Sequence, residues 1–172
     1  LSKLFSPNPI LPTGTTTLRL TVTNPDTVNT ISGVGFTDIF PTAPAQMSLS
    51  SASYTNTCGG TVTDSANNPL AVGSTSVKLA GGSVGPNTDC TVLVTVKLNT
   101  ATTGTYVNTA GIDSTDNLVV TLTPTAAKSF TPSTIALSAT STLTIMLTNN
   151  TALGALSGVS FIDPLPTGLV VA

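Results

Sequence analysis

Three polar residues have types and positions that suit an amide bond between side chains: Lys3, Asp38 and Asn108. Side chains alternate between the two faces of a β-strand, so residues two apart share a face. Each of the three lies two positions from an aromatic residue. Those aromatic residues are Phe5, Phe36 and Tyr106. The alternation therefore predicts that an amine, a carboxyl group and a carboxamide point toward apolar neighbours.

Burial would make these groups reactive. A desolvated lysine loses its proton more readily and becomes a nucleophile, and a carboxyl group with a raised pKa can carry protons. Lys3 would then form an intramolecular amide bond with Asn108, with Asp38 as the proton carrier. In the alternative, Lys3 extends outward at a strand edge, Asp38 accepts backbone hydrogen bonds and Asn108 closes a strand. Leu4 and Val107 would then take the inner faces.

Cys58 and Cys90 are the two cysteines of the chain. The sequence contains no histidine, so a zinc site of the usual Cys and His ligands is not expected. We predict a disulfide between them, formed in an oxidising compartment. The alternative is a pair of buried free thiols.

Two further motifs have weak chemical meaning. Residues 81–85 read Gly-Gly-Ser-Val-Gly, which matches the G-x-S-x-G string of serine hydrolases, but no histidine can serve as the base. Asp113 and Asp116 provide too few oxygens for a calcium site and are expected in a solvated turn. We therefore predict no catalytic residues, no metal, no cofactor and no enzyme activity.

Composition limits the partners. Charged residues make up 7% of the chain, and seven Asp against four Lys and one Arg leave a net charge of −2. A surface with so little charge suits an assembly, a tethered protein or a glycosylated one. Nucleic-acid binding is not expected because the chain has no basic patch. Membrane insertion is not expected because no apolar run approaches the length of a span. Since the chain starts at Leu1 without a secretory segment, we expect a mature product or an excised piece.

An internal repeat defines the domain organisation. Residues 3–47 return as residues 128–172 without a gap, and 16 of the 45 positions are identical. A fixed period indicates one folding unit used more than once. We predict a complete unit over residues 1–125 and the first part of a second unit over residues 126–172.

Short alternating segments between turn signals predict an all-β protein, an antiparallel Ig-like β-sandwich. Strands are expected at 3–5, 15–23, around 34–38, 47–54, 61–63, around 77–79, 90–98, 104–112 and 118–125, with a turn over 113–117 between the last two. The predicted core is Leu18, Leu20, Val22, Phe36, Val92, Val94 and Val96.

The second copy is expected to lack a partner sheet within its own residues. Its apolar positions are Leu143, Ile145, Leu147 and Phe161. Exposed apolar faces and open strand edges tend to pair with another strand. Either a longer chain or a neighbouring molecule would supply the missing strands, so the expected partners are neighbouring repeats or copies of the same protein.

Several motifs carry a resemblance that covers the whole chain. They are Lys-x-Phe-Ser/Thr-Pro, a Thr-rich strand ending in Thr-Asn, Gly-Val-x-Phe-x-Asp-x-x-Pro, Cys-Gly-Gly-Thr-Val, a second Cys-Thr-Val and Gly-Thr-Tyr-Val-Asn-Thr. With these, the chain resembles the Ig-like "conserved repeat" domains of unknown function in large bacterial surface proteins. The first copy departs at residues 39–43, where a Leu-Pro-x-Gly turn would be usual, while residues 165–168 keep that turn.

The resemblance implies an extracellular location and a stalk-like or adhesive role. Similar surface-domain families include members that join their first and last strands by a Lys–Asn bond. We expect a structural spacer or assembly module of a stalk, sheath or filament. The alternative is an adhesin that binds a glycan, a protein or ice through rows of threonine such as Thr17, Thr21 and Thr23.

Overall fold

A computed structural model describes residues 1–110, 114–121, 124–149 and 159–172, which contain strands and no helix. The chain divides into two compact units, Leu1–Thr121 and Leu122–Ala172. This division falls four residues before the boundary expected from the repeat.

Unit 1 is a β-sandwich of two antiparallel sheets. The first sheet, sheet A, has the order β1-β2-β7-β4, and the second, sheet B, has the order β5-β6-β3-β8-β9. The strands of sheet A are β1 (Ser2–Ser6), β2 (Thr15–Asn24), β4 (Met47–Asn56) and β7 (Thr88–Leu98). Those of sheet B are β3 (Ile31–Ile39), β5 (Thr61–Thr63), β6 (Ser76–Val84), β8 (Gly104–Ala110) and β9 (Ser114–Val120).

The core forms where the alternating strands of the two sheets face each other. In sheet A, Leu18 pairs with Val94 and Leu20 with Val92, so the apolar faces of β2 and β7 coincide. Sheet B adds Val77, Leu79, Tyr106, Leu118 and Val120, all buried. Five predicted core residues are confirmed as buried. They are Leu18, Leu20, Val92, Val94 and Val96. Val22 and Phe36 are partly buried and pack against this cluster instead of lying within it.

The predicted turn over 113–117 is wrong for residues 114–117. Strand β9 begins at Ser114, and Asn108 of β8 lies opposite Asp116. Polar residues are accommodated in β9 because Asp116 and Asn117 form hydrogen bonds with Phe5 of β1 and with Asn8. Asp113 and residues 111–112 of the predicted strand lie outside the described residues.

The N-terminal segment joins the two sheets. β1 pairs with β2 in sheet A, while its Phe5 backbone N–H donates to Oδ2 of Asp116 in sheet B at 2.8 Å. The Asn8 side chain continues the connection, accepting from the backbone N–H of Val119 at 2.9 Å and donating to the carbonyl of Asn117 at 2.7 Å. These contacts hold the N-terminal segment against strand β9 of sheet B.

Unit 2 repeats the first hairpin of unit 1. β10 (Thr125–Thr131) and β11 (Thr142–Thr148) pair in the same register, with Lys128 opposite Ile145 as Lys3 is opposite Leu20. Within the described residues of unit 2, no second sheet covers this hairpin. Its inward positions are accordingly only half-buried or exposed. They are Leu143, Ile145, Leu147 and Phe161.

Replacing Leu18 by alanine is expected to lower the free energy of unfolding by about 2–5 kcal/mol, because a fully buried leucine loses its contacts and leaves a cavity. Leu4→Ala is the matched control, since Leu4 lies in the paired strand β1 with its side chain exposed, and its cost should stay within about 0.5 kcal/mol. Urea unfolding followed by tyrosine fluorescence measures both, because Tyr54 and Tyr106 lie in unit 1. Equal costs would contradict the assignment of inner and outer faces.

Candidate cross-linking site

The structure brings Lys3, Asp38 and Asn108 together between the two sheets. Nζ of Lys3 lies 3.0 Å from Oδ1 of Asp38, and Nδ2 of Asn108 donates to Oδ2 of the same carboxyl group at 3.2 Å. The side chains of Lys3 and Asp38 are 0% exposed, and Asn108 is also fully buried. The amine and the carboxamide are thus held side by side on the two oxygens of one carboxyl group.

Strand alternation explains why the three side chains converge. Lys3 is opposite Leu20, whose side chain is in the core, so the lysine enters the sandwich from sheet A. Asp38 is opposite Ala110 in the neighbouring strand of sheet B, and Asn108 is two residues from Ala110 on the same face. Leu4 and Val107 are 52% and 56% exposed. The alternative orientation, with these two apolar residues inward, is therefore not found.

Burial shifts both charged groups toward their neutral forms. Desolvation lowers the pKa of Lys3 although the neighbouring Asp38 carboxylate acts in the opposite direction. Desolvation likewise raises the pKa of Asp38 against the effect of the lysine and of the hydrogen bond from Asn108. Transfer of one proton from Nζ to Oδ1 would give a neutral amine beside a carboxylic acid, which is the pair of forms that amide formation needs.

The carboxamide of Asn108 is only half satisfied. Its Nδ2 donates to Asp38, but its buried Oδ1 has no hydrogen-bond partner among the described residues. An unpaired buried carbonyl oxygen is costly, and such groups in native proteins often mark a strained or reactive position. Because Nδ2 of Asn108 donates to Asp38, the nitrogen that would leave as ammonia lies beside the carboxyl group that can protonate it.

Two further polar residues hold strands of unit 1 in place in a way that their local sequence did not predict. Asp116, expected in a turn, accepts the Phe5 backbone N–H and so holds the edge strand that carries Lys3. Asn24 is fully buried, and its Nδ2 donates to the carbonyls of Asn29, Val84 and Gly85 at 2.8–3.1 Å. Asn24 thus ties the end of β2 to the end of β6. The Thr-Asn ending that recurs in the second copy was the available signal.

A disulfide joins Cys58 and Cys90. Cys58 lies two residues after the end of β4, which is an edge strand of sheet A, and Cys90 lies in β7 of the same sheet. The Cys58 carbonyl accepts from the backbone N–H of Ser83, which belongs to sheet B. Gly60 has a positive φ, and a Cβ there would collide with the backbone between Ala80 and Gly82. The Cys-Gly-Gly corner therefore requires glycine for this close approach.

The weaker motifs gain no support as sites. The serine of the G-x-S-x-G string, Ser83, lies in strand β6 and not in a turn between a strand and a helix. The carboxylate of Asp116 accepts a hydrogen bond from the backbone N–H of Phe5 in β1. Among the described residues, no group of three or more His, Cys, Asp or Glu side chains is placed to hold a metal ion. The same residues form no helix that is long and apolar enough to cross a membrane.

A second pair of the same type occurs in unit 2. Nζ of Lys128 lies 2.7 Å from Oδ1 of Asp163, the two residues that correspond to Lys3 and Asp38 in the repeat. Their side chains are 39% and 22% exposed, in contrast to the buried first pair.

The fold and the site define a class: an all-β protein in which unit 1 is a disulfide-bonded sandwich with a buried amine, carboxyl and carboxamide group. The chain belongs to the family described as a domain of unknown function, DUF7933, whose model matches residues 1–121 and again residues 124–172. No curated protein and no solved structure matches the chain.

Proposed function

We propose that the chain is a structural spacer or assembly module of a bacterial extracellular protein, namely an Ig-like repeat of a stalk, sheath or filament. We also propose that an amide bond between Lys3 and Asn108 stabilises unit 1 covalently. The observation that carries the proposal is the buried Lys3–Asp38–Asn108 site. A structural domain gains from a permanent connection between its first and later strands. The disulfide supports an extracellular location because disulfides form and persist in oxidising compartments.

The bond follows from balanced chemistry. Neutral Nζ of Lys3 attacks Cγ of Asn108, and the bond between Cγ and Nδ2 breaks. Asp38 passes the proton that it received from the lysine to the departing nitrogen, which leaves as ammonia, and it recovers a proton from the newly bonded Nζ. The products are a secondary amide and one ammonia, with no oxidant or cofactor consumed.

The position of the bond suits a domain that transmits mechanical force. Lys3 lies near the start of unit 1 and Asn108 near its end, so the amide bond encloses strands β2–β7. A force applied along the chain would pass through the covalent bond and bypass the hydrogen bonds of those strands. The disulfide adds a second covalent connection, between the segment after β4 and strand β7.

The intact mass of the reduced protein tests the bond. We expect a mass one ammonia below that of the sequence, and a peptide digest in which Lys3 and Asn108 are found in one cross-linked species. Lys3→Arg and Asp38→Ala should restore the full mass. Lys128→Arg is the matched control and should leave the loss unchanged. The full sequence mass for the parent protein would refute the bond.

The adhesin alternative has one observation in its favour. On the outer face of sheet A, Thr17 lies opposite Thr95 and Thr21 opposite Thr91. Arg19 lies between these two threonine pairs, so the row is interrupted. Glycan-array and ice-affinity measurements on the protein distinguish the two functions, because a spacer should bind neither while an adhesin should lose binding on Thr17→Val with Thr21→Val.

A further inference from the structure

The pair Lys128–Asp163 in unit 2 has the geometry of the buried site but lacks its third member. The repeat places both lysines 35 residues before their aspartates. The hairpins match in register, and Ser141 Oγ donates to the Pro132 carbonyl as Thr16 Oγ1 donates to that of Pro7. The amine and the carboxyl group are therefore preorganised in unit 2 as in unit 1.

Comparison of Asp163 with Asp38 shows which group the pair in unit 2 lacks. Oδ2 of Asp163 is buried and has no hydrogen-bond partner among the described residues, whereas Oδ2 of Asp38 accepts from Nδ2 of Asn108. Beside Asp163 lies a shallow cleft of about 170 Å³. Its lining includes Lys128, Ile145 and Phe161. In unit 1 the corresponding Leu20 is covered completely, by a sandwich that includes strand β8.

We propose that this cleft binds a β-strand of the β8 type and that Lys128 then forms an amide bond with its asparagine. The occupant is a partner strand with the pattern Tyr-x-Asn-x-Ala, in which alternate side chains face the cleft. The occupant is a different strand from the β8 of this chain, because Asn108 already occupies the site in unit 1. This inference rests on the Lys–Asn chemistry of the proposed function and extends it from one folded unit to the joining of units.

The pattern of β8 fits the cleft on two grounds. Tyr106, Asn108 and Ala110 are buried on one face, while Thr105, Val107 and Thr109 face outward. The inward residues would supply apolar contact to Ile145 and Phe161 and a donor to Oδ2 of Asp163. An added strand also provides main-chain hydrogen bonds, which is the general mode of strand addition.

The step balances as in unit 1. Nζ of Lys128 attacks Cγ of the incoming asparagine, and the bond to its Nδ2 breaks. Asp163 takes a proton from Nζ before the attack and gives it to the leaving nitrogen, which departs as ammonia, and then recovers a proton from the newly bonded Nζ. The result is a covalent link between unit 2 and the partner strand through one amide bond.

The test is to incubate the full 172-residue protein with a synthetic peptide of residues 104–120, which contains β8 and β9. Mass spectrometry of the mixture should show an adduct whose mass is the sum of the two minus one ammonia, with Lys128 joined to the peptide asparagine. Lys128→Arg, Asp163→Ala and a peptide with Asn108→Leu should each abolish the adduct. Lys3→Arg in the protein should keep it, since unit 1 retains its own β8.

The outcomes separate this inference from the proposed function. Absence of the adduct, in a protein whose unit 1 has already lost its ammonia, overturns the inference and leaves the function standing. An adduct that persists in Lys128→Arg also overturns it, because the peptide would then be joined elsewhere. Absence of both the adduct and the ammonia loss in unit 1 refutes the shared chemistry and therefore both proposals.

Discussion

Replacing Asp38 by alanine is expected to lower the free energy of unfolding of unit 1 by about 3–5 kcal/mol, because it leaves the Lys3 amine buried without its partner. Loss of the acid also prevents amide formation, so any stabilisation by that bond disappears in addition. Calorimetry measures the effect, and tyrosine fluorescence identifies the transition of unit 1 through Tyr54 and Tyr106.

The second copy provides the matched control. Asp163→Ala removes the same charge from the corresponding pair, but these side chains are partly exposed, so the cost should be about 0–1 kcal/mol. The double variant Lys3→Met with Asp38→Ala should be more stable than Asp38→Ala alone, because it no longer buries an unpaired amine. If Asp38→Ala cost no more than Asp163→Ala, the buried pair would not contribute as the structure indicates.

Removing the disulfide is expected to cost roughly 3.5–4 kcal/mol on the chain-entropy model, because residues 58 and 90 are 32 positions apart and the unfolded chain would regain the freedom of that loop. Cys58→Ala with Cys90→Ala is the suitable variant, since both residues are buried and serine would bury hydroxyl groups. Urea unfolding followed by tyrosine fluorescence measures the difference.

Two observations accompany this second prediction. Alkylation of the unreduced protein should label neither cysteine, and reduction of the parent protein should reproduce the stability of the double variant. Labelling of both thiols under native oxidising conditions would contradict the disulfide and remove its support for an extracellular location. Equal unfolding midpoints for the parent and the variant would show that the loop is already constrained by other contacts.

Much of unit 1 could be predicted from the sequence because its signals are local. The period-two alternation in β2 and β7 predicted the buried faces, with Leu20 and Val92 as opposite partners. The same rule left two orientations open for β1 and β8, with either Lys3 and Asn108 or Leu4 and Val107 pointing inward, and the structure has the first. Strand periodicity is sufficient for β2 and β7 because the backbone itself sends neighbouring side chains to opposite faces.

Other features depend on contacts between distant segments. Val22 and Phe36 fit the alternation but are only partly buried, because burial also depends on what the opposite sheet places over each position. Asp116 looked like a turn residue, yet it lies in β9 and accepts a hydrogen bond from β1, which is more than a hundred residues away in the chain. No local pattern contains that information.

The two lysine–aspartate pairs show this division most clearly. Their local sequences are equivalent, with the same residue types, the same separation and the same flanking Phe and Pro. The tertiary structure shows how differently the two pairs are covered. Lys3 and Asp38 are enclosed between sheets A and B and are fully buried, whereas the described part of unit 2 has no second sheet over Lys128 and Asp163. Desolvation shifts the pKa values of Lys3 and Asp38, and it depends on the strands that other parts of a chain bring to the site.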